Sequence, residues 1–164
     1  MLVIRCCKIA FVATIALFFT LVALGNVTDY SANGEFVTHV LSMDTIFPDS
    51  PLAWRAITDP TMQTVAYWLI IAWEAATAIV LWIGVVRLLR AAAGPNFAAA
   101  KTIPVLGLAM AFILYAAGFV VIGGEWFAMW QSETWNGQEK AFGFLTMIGI
   151  VLLTLLIPER EPAA

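Results

Sequence analysis

The stretch WLIIAWEAATAIV, residues 68–80, carries one charged side chain, Glu74, among otherwise uncharged residues. It lies inside an apolar run from about Met62 to Val86, which is long enough to cross a hydrocarbon core of ~30 Å. Three similar runs cover about residues 9–25, 103–122 and 141–157. Backbone polar groups must be paired within lipid, and these runs lack the ~10-residue alternation of barrel strands. The sequence therefore predicts four membrane-spanning helices.

The composition excludes the usual soluble classes. Hydrophobic residues make up 62% of the 164 residues and charged residues 12%, compared with ~45–50% and ~25% in ordinary soluble domains. A net charge of −3 without a basic cluster excludes a nucleic-acid binder. We expect an all-α protein, one integral membrane domain over residues 1–164. Its four-helix transmembrane bundle should be antiparallel and up-down, because short connections favour that topology.

The distribution of Lys and Arg predicts the orientation in the membrane. Six such residues flank the spans on one side, and only Arg55 and Lys140 lie on the other. The six are Arg5, Lys8, Arg87, Arg90, Lys101 and Arg160. Because positive charge is retained inside, both termini should be cytoplasmic in a bacterial inner membrane. The acidic segments 26–60 and 123–140 then form the outward loops.

The first span has a second interpretation as a cleaved signal peptide. It has a basic start, an apolar run and the small residues Ala23 and Gly25 near its end. The apolar run of residues 9–25 is longer than the ~7–15 residues of a typical signal sequence. We expect the span to be retained, and cleavage stays open as the alternative.

Glu74 is the most informative residue for function. A charged group at the centre of a bilayer is costly, from about 2.5 kcal/mol upward, so it should face the bundle or a cavity. The predicted intramembrane polar site comprises Glu74, Tyr67, Thr77 and Tyr115. Glu74 can be a neutral hydrogen-bond partner of Tyr115, a relay for protons or cations, or a polar anchor for a quinone or a partner's cofactor. The neighbouring spans carry no second acid and no base at matching depth, which argues against an ion-driven transporter.

The first outward loop is too long to lack structure. Phe36, Val37, Val40 and Leu41 recur at helical spacing, which predicts a short surface helix that carries His39. A second short helix is expected to begin at residues 49–51 and to include Trp54 and Arg55. Asn33-Gly34 is typical of a turn.

The second outward loop is rich in tryptophan. Trp126, Trp130 and Trp135 fit an aromatic belt at the lipid–water boundary. Polar residues between them are not explained by anchoring and can meet a partner. The predicted outward interaction surface comprises His39, Asp44, Arg55, Glu125, Trp126, Trp130, Trp135 and Asn136.

Several of these motifs together resemble a known family. They are HVLSMDTIFPDS (residues 39–50), WRAI (54–57), Glu74 in its span, and GGEWFAMWQSETWNGQ (123–138). The chain is similar over nearly its whole length to a family of bacterial predicted small integral membrane proteins, a domain of unknown function. The resemblance implies four spans and an inner-membrane location, and it implies no established activity.

The residues favour a non-catalytic accessory, assembly or modulator subunit of a larger membrane complex. The alternatives are a small-molecule, ion or proton transporter that uses Glu74 and, less favoured, a membrane-embedded enzyme with His39 beside Ser42, Ser50 or Ser132. We predict no catalytic residue, metal or cofactor. The expected partners are the lipid bilayer and another integral membrane protein or complex, no nucleic acid, and an optional second copy of the chain.

Overall fold

The computed structural model describes residues 2–159, which form helices joined by turns and irregular segments, with no strand in that range. The α-helices are α1 Leu2–Thr28, α2 Tyr30–Ser42, α3 Pro60–Ala91, α4 Phe97–Ala100, α5 Thr102–Ile113 and α6 Gln138–Leu156. A π-helical segment, Leu114–Trp126, continues α5, and two short 3-10 helices cover Ala53–Arg55 and Met129–Gln131. The all-α class is confirmed. Arg160, one of the six predicted cytoplasmic charges, lies outside the described residues.

Four helices are long and apolar enough to cross a membrane, as the sequence predicted. They are Leu2–Thr28, Pro60–Ala91, Phe97–Trp126 and Gln138–Leu156. The start of α3 follows from local chemistry, because the Asp59 side chain accepts a hydrogen bond from the Met62 amide at 2.9 Å and Pro60 occupies the first turn. α1 runs past the predicted end of its span, so Asn26 lies in the helix instead of the loop.

The centre of the bundle is tightly packed. Phe19 of α1, Leu81 and Leu88 of α3, and Leu108 of α5 are fully buried in one apolar core. α3 and α5 approach closely because α3 has no side chain at Gly84, where a Cβ atom would lie 2.8–2.9 Å from Pro104. Gly107 of α5 meets Leu81 in the same way. Small residues therefore permit the backbone contact that helices in lipid need.

One end of the bundle, which we call the termini end, joins four parts of the chain. Arg5 of α1 donates hydrogen bonds to the carbonyl oxygens of Ala92 and Gly94, just after α3. Lys8 of α1 and Lys101, between α4 and α5, both donate to the carbonyl oxygen of Ile157, just after α6. These contacts join the start of α1, the chain just after α3, the residue before α5 and the chain just after α6 at this end.

At the opposite end, the loop end, the first long loop contains the helix that the periodicity predicted. α2 buries Val37 and Val40 and ends at Met43, which has a left-handed conformation with φ of 52°. The turn expected at Asn33-Gly34 was wrong, because both residues lie inside α2 and the chain bends at Asp29 instead. The second short helix is present as a 3-10 turn, Ala53–Arg55, slightly later than expected.

Candidate functional site

Glu74 is held on the inner face of α3. This face also buries Gln63, Tyr67, Thr77 and Gly84, which are the residues that helical spacing placed together. The Glu74 side chain is 3% exposed. Its Oε2 accepts a hydrogen bond from the Asn26 amide at 2.7 Å, and the Asn26 oxygen accepts one from the Asn33 amide, also at 2.7 Å. The partner of Glu74 is therefore an amide of α1 and not the Tyr115 hydroxyl that the sequence suggested.

Glu74 borders a cavity of about 430 Å³, which we call the loop-end chamber. Its walls come from α1, α2, α3, the π-helical segment, the second loop and α6. The aromatic lining residues are Phe36, Tyr67, Tyr115, Phe119, Trp135 and Phe144, and the polar ones are Asn26, Asn33, Glu74, Thr134, Asn136 and Lys140. A chamber of this size is in the range of small-molecule sites.

The two tyrosines and the threonine of the predicted polar site have different positions. Tyr67 and Tyr115 both line the chamber. The Tyr67 hydroxyl is buried and has no hydrogen-bond partner within residues 2–159. Thr77 is fully buried and donates to the carbonyl oxygen of Trp73 at 2.8 Å, so its hydroxyl is satisfied within α3. The chamber thus brings together three of the four predicted residues.

His39 supports the chamber wall from outside. Its ring stacks on Trp135 at 4.5 Å between centroids, and its Nδ1 lies 2.7 Å from an Asp44 carboxylate oxygen. The hydrogen bond with Asp44 fixes the imidazole, and the imidazole covers one face of the indole. Asn136, next to Trp135, lines the chamber and accepts a hydrogen bond from the Gln138 amide at the start of α6.

Arg55 connects the two loops. Its guanidinium donates to the carbonyl oxygens of Glu125 and Trp126, and it lies 4.6 Å from the Trp126 ring centroid. The exposed ring of Trp54 lies on the same guanidinium at 5.5 Å. Trp130 meets Phe47 edge-on at 5.9 Å. Seven of the eight predicted surface residues therefore form two groups, and Trp130 contacts Phe47 instead. The group at the chamber wall around His39 comprises His39, Asp44, Trp135 and Asn136, and the group around Arg55 comprises Arg55, Glu125 and Trp126. Glu125 takes part through its backbone.

Sequence reasoning missed a second carboxylate with little exposure to solvent, that of Glu159 at the termini end, whose side chain is 10% exposed. Its Oε1 lies 2.6 Å from the Lys101 ammonium and 2.8 Å from that of Lys8, and its Oε2 lies 3.4 Å from the Arg5 guanidinium. Burial raises the pKa of Glu159, but the hydrogen bonds from Lys101 and Lys8 outweigh it and lower the pKa to about 2. The carboxylate is therefore ionised and fully compensated by cations.

Within the described chain, no group of three or more His, Cys, Asp and Glu side chains is placed to hold a metal ion. Comparisons with known proteins add the family and no activity. Neither the curated proteins nor the solved structures contain a significant match to this chain. A family model described as a predicted small integral membrane protein (DUF2165) matches residues 4–158. With four membrane-capable helices and a match over nearly its whole length, the chain belongs to this family of small integral membrane proteins.

Proposed function

We propose that this integral membrane protein is a non-catalytic binding protein for a small molecule, which it holds in the loop-end chamber. The observation that carries the proposal is the 3% exposed Glu74 carboxylate beside a cavity of about 430 Å³. A buried carboxylate that served only to join two helices would be expected in a filled interface. A carboxylate that borders a chamber with six aromatic side chains among its 18 lining residues is typical of a site where polar groups orient a ligand against apolar walls.

The packing of the bundle favours binding over passage through the membrane. On the side of Glu74 towards the termini end, the core is filled by Leu81, Leu88 and Leu108, all fully buried. The ion pairs of Glu159 join the helices beyond that core. This arrangement supports a chamber with access from the loop end, and it makes the transporter that uses Glu74 the less favoured alternative.

Hydrogen bonding favours a non-catalytic role for His39. The Ser42 hydroxyl donates to the Thr38 carbonyl oxygen, and Ser132 bonds with the Thr45 hydroxyl and the Trp135 amide. The hydrogen-bond partner of His39 in the described chain is the Asp44 carboxylate, at Nδ1, and not a serine. A serine nucleophile activated by His39 would require a different arrangement.

The charge distribution supports an inner-membrane location with both termini in the cytoplasm. The chamber would then open to the outside of the bacterial membrane.

The proposed biological role is that of an accessory or modulator subunit whose ligand state is sensed by a larger membrane complex. The supporting observation is the low burial of α6. In its apolar stretch 17% is buried, compared with 39% in those of α1 and α3, so α6 leaves a large face for lipid or a partner. Purification in mild detergent followed by mass spectrometry tests this role, and a chain recovered without a stoichiometric partner would contradict it.

Three probes of similar shape test the chamber itself: benzyl alcohol, benzylammonium and benzoate. We expect at least one of them to raise the melting temperature of the purified protein and to change the fluorescence of Trp135, which lines the chamber. The variant Trp135→Phe checks that the fluorescence change comes from Trp135, because it should lose that change.

A variant that fills the chamber provides the decisive comparison. Ala32 lines the chamber, so Ala32→Trp should abolish binding of the probe, whereas Ala10→Trp on the exposed face of α1 should leave it unchanged. Equal responses of the two variants would place the probe elsewhere and contradict the proposal.

A further inference from the structure

We propose that the ligand of the loop-end chamber is a small organic ammonium cation, with its charged nitrogen at Glu74 and its apolar body against the aromatic walls. This inference rests on the proposed function, because it names the chemical class that the chamber would bind. It follows from three observations on the lining: the neutral hydrogen-bond partner of the Glu74 carboxyl group, the rings around it, and an unpaired hydroxyl.

The first observation is that Glu74 has a neutral partner. Its hydrogen bond comes from the Asn26 amide, and that amide is held in place by Asn33. The ion pairs that Lys and Arg form within the described residues are those of Glu159, and none of them involves Glu74. A carboxylate in a low-dielectric site requires a cation or a proton to offset the loss of hydration. A ligand that carries a positive charge supplies this compensation.

The second observation is the composition of the walls. Tyr115 packs against Phe119 at 5.3 Å and Phe144 at 4.9 Å between ring centroids, so three rings form one continuous aromatic surface of the chamber. Trp135 adds an indole at the loop side. Aromatic faces carry negative potential and attract ammonium groups, most strongly when the site is desolvated. The rings also provide contact area for the apolar body of an organic ligand. A hydrated metal ion has no apolar surface to place against them.

The third observation is the Tyr67 hydroxyl. The Tyr67 side chain is 2% exposed and lines the chamber, and its oxygen has no hydrogen-bond partner in residues 2–159. A buried hydroxyl without a partner is destabilising, because it has lost its hydrogen bonds with water and gained none in the protein. Tyr67 lies seven residues before Glu74, two turns away on the same face of α3. An ammonium group has several N–H donors, so it can bind the carboxylate and still offer a donor to a second oxygen.

Lys140 is the one cationic side chain among the lining residues that the structure describes. It lies in the first turn of α6, at the loop end, and is exposed. An anionic ligand would be attracted by Lys140 and repelled by an ionised Glu74. A cation experiences the opposite field, with attraction at Glu74 and weak repulsion at Lys140. Removing the charge of Lys140 should therefore strengthen the binding of a cation and weaken the binding of an anion.

The test compares benzylammonium with benzyl alcohol, its neutral analogue, by fluorescence titration of the full chain in detergent. We expect benzylammonium to bind at least about tenfold more tightly. Glu74→Gln keeps the shape and an acceptor for Asn26, and it should abolish this preference. The matched control is Glu133→Gln, an exposed loop glutamate without an ion pair in the described chain, which should retain it.

A second variant keeps the test decisive if Glu74→Gln does not fold. Lys140→Gln should strengthen the binding of benzylammonium by roughly two- to fivefold, because it removes a like charge in a partly solvated position. Weaker binding of benzylammonium to this variant would overturn the assignment.

The outcomes separate the two proposals. If benzyl alcohol or benzoate binds in the chamber as well as or better than benzylammonium, the ligand class is overturned and the binding chamber is retained. If the preference for benzylammonium persists in Glu74→Gln, the charged nitrogen does not lie at Glu74 and the inference is also overturned. If none of the probes binds, both proposals are contradicted.

Discussion

Two carboxylates with little exposure to solvent, those of Glu159 and Glu74, have opposite surroundings. Glu159, at the termini end, is contacted by the ammonium groups of Lys8 and Lys101 and by the Arg5 guanidinium. Glu74, in the loop-end chamber, accepts a hydrogen bond from the neutral amide of Asn26. One carboxylate lies where four parts of the chain are joined, and the other borders a cavity of about 430 Å³.

This difference separates a structural role from a binding role. Ion pairs that compensate a buried charge within the chain fix the geometry and leave little to offer a ligand. A carboxylate with a neutral partner keeps most of its capacity to bind a cation or a proton. The same residue type therefore stabilises the bundle at one end and, in our proposal, selects a ligand at the other.

The largest expected effect is the loss of stability in Glu159→Gln. This change leaves Lys8 and Lys101 close together without a counter-charge. Removal of one partner from a fully buried ion pair costs ~3–5 kcal/mol, and because 10% of the Glu159 side chain is exposed we expect roughly 2–4 kcal/mol. The measurement is the unfolding free energy or melting temperature in detergent. Glu133→Gln is the control, and a loss no larger than in that variant would show that the cluster does not hold the termini end together.

A smaller and gradual effect on the stability that Glu159 contributes is expected when the pH is lowered. The pKa of Glu159 is lowered from 4.5 to about 2, because hydrogen bonds from Lys101 and Lys8 outweigh its burial. A carboxylate whose pKa is depressed by folding stabilises the protein above its unfolded pKa, and this contribution is lost as the pH falls through the folded pKa. The difference in melting temperature between the native chain and Glu159→Gln should therefore shrink steadily from about pH 5 to about pH 2. A difference that stays constant over this interval would contradict the assignment of the charge.

The sequence predicted the chamber side of α3 better than the partner of Glu74. Helical spacing was enough to place Gln63, Tyr67 and Glu74 on one buried face, because the period of a helix is fixed by its geometry. The hydrogen bond from Asn26 was not predictable in the same way. An apolar run indicates where a helix is hydrophobic, and Asn26 lies in the more polar last turns of α1, which the run does not mark.

The cluster around Glu159 was even less accessible to sequence reasoning. Lys8 and Glu159 are 151 positions apart in the sequence, and no local pattern connects them. By the positive-inside rule, Lys8 and Lys101 helped to predict the orientation in the membrane, but the rule does not predict the partner of either side chain. In the first loop, the apolar spacing of Val37 and Val40 correctly predicted α2, and it outweighed the turn tendency of Asn33-Gly34.

The smallest expected effect is on stability in Glu74→Gln. Glutamine keeps an oxygen that accepts from Asn26, and it removes the cost of placing a charge in a poorly hydrated site. The unfolding free energy should therefore change by less than about 1 kcal/mol, and any change should favour the variant. Melting curves in detergent, beside those of Glu159→Gln, provide the measurement. If both variants lose stability to the same extent, Glu74 is compensated as fully as Glu159, and the contrast between a structural and a ligand-binding carboxylate no longer holds.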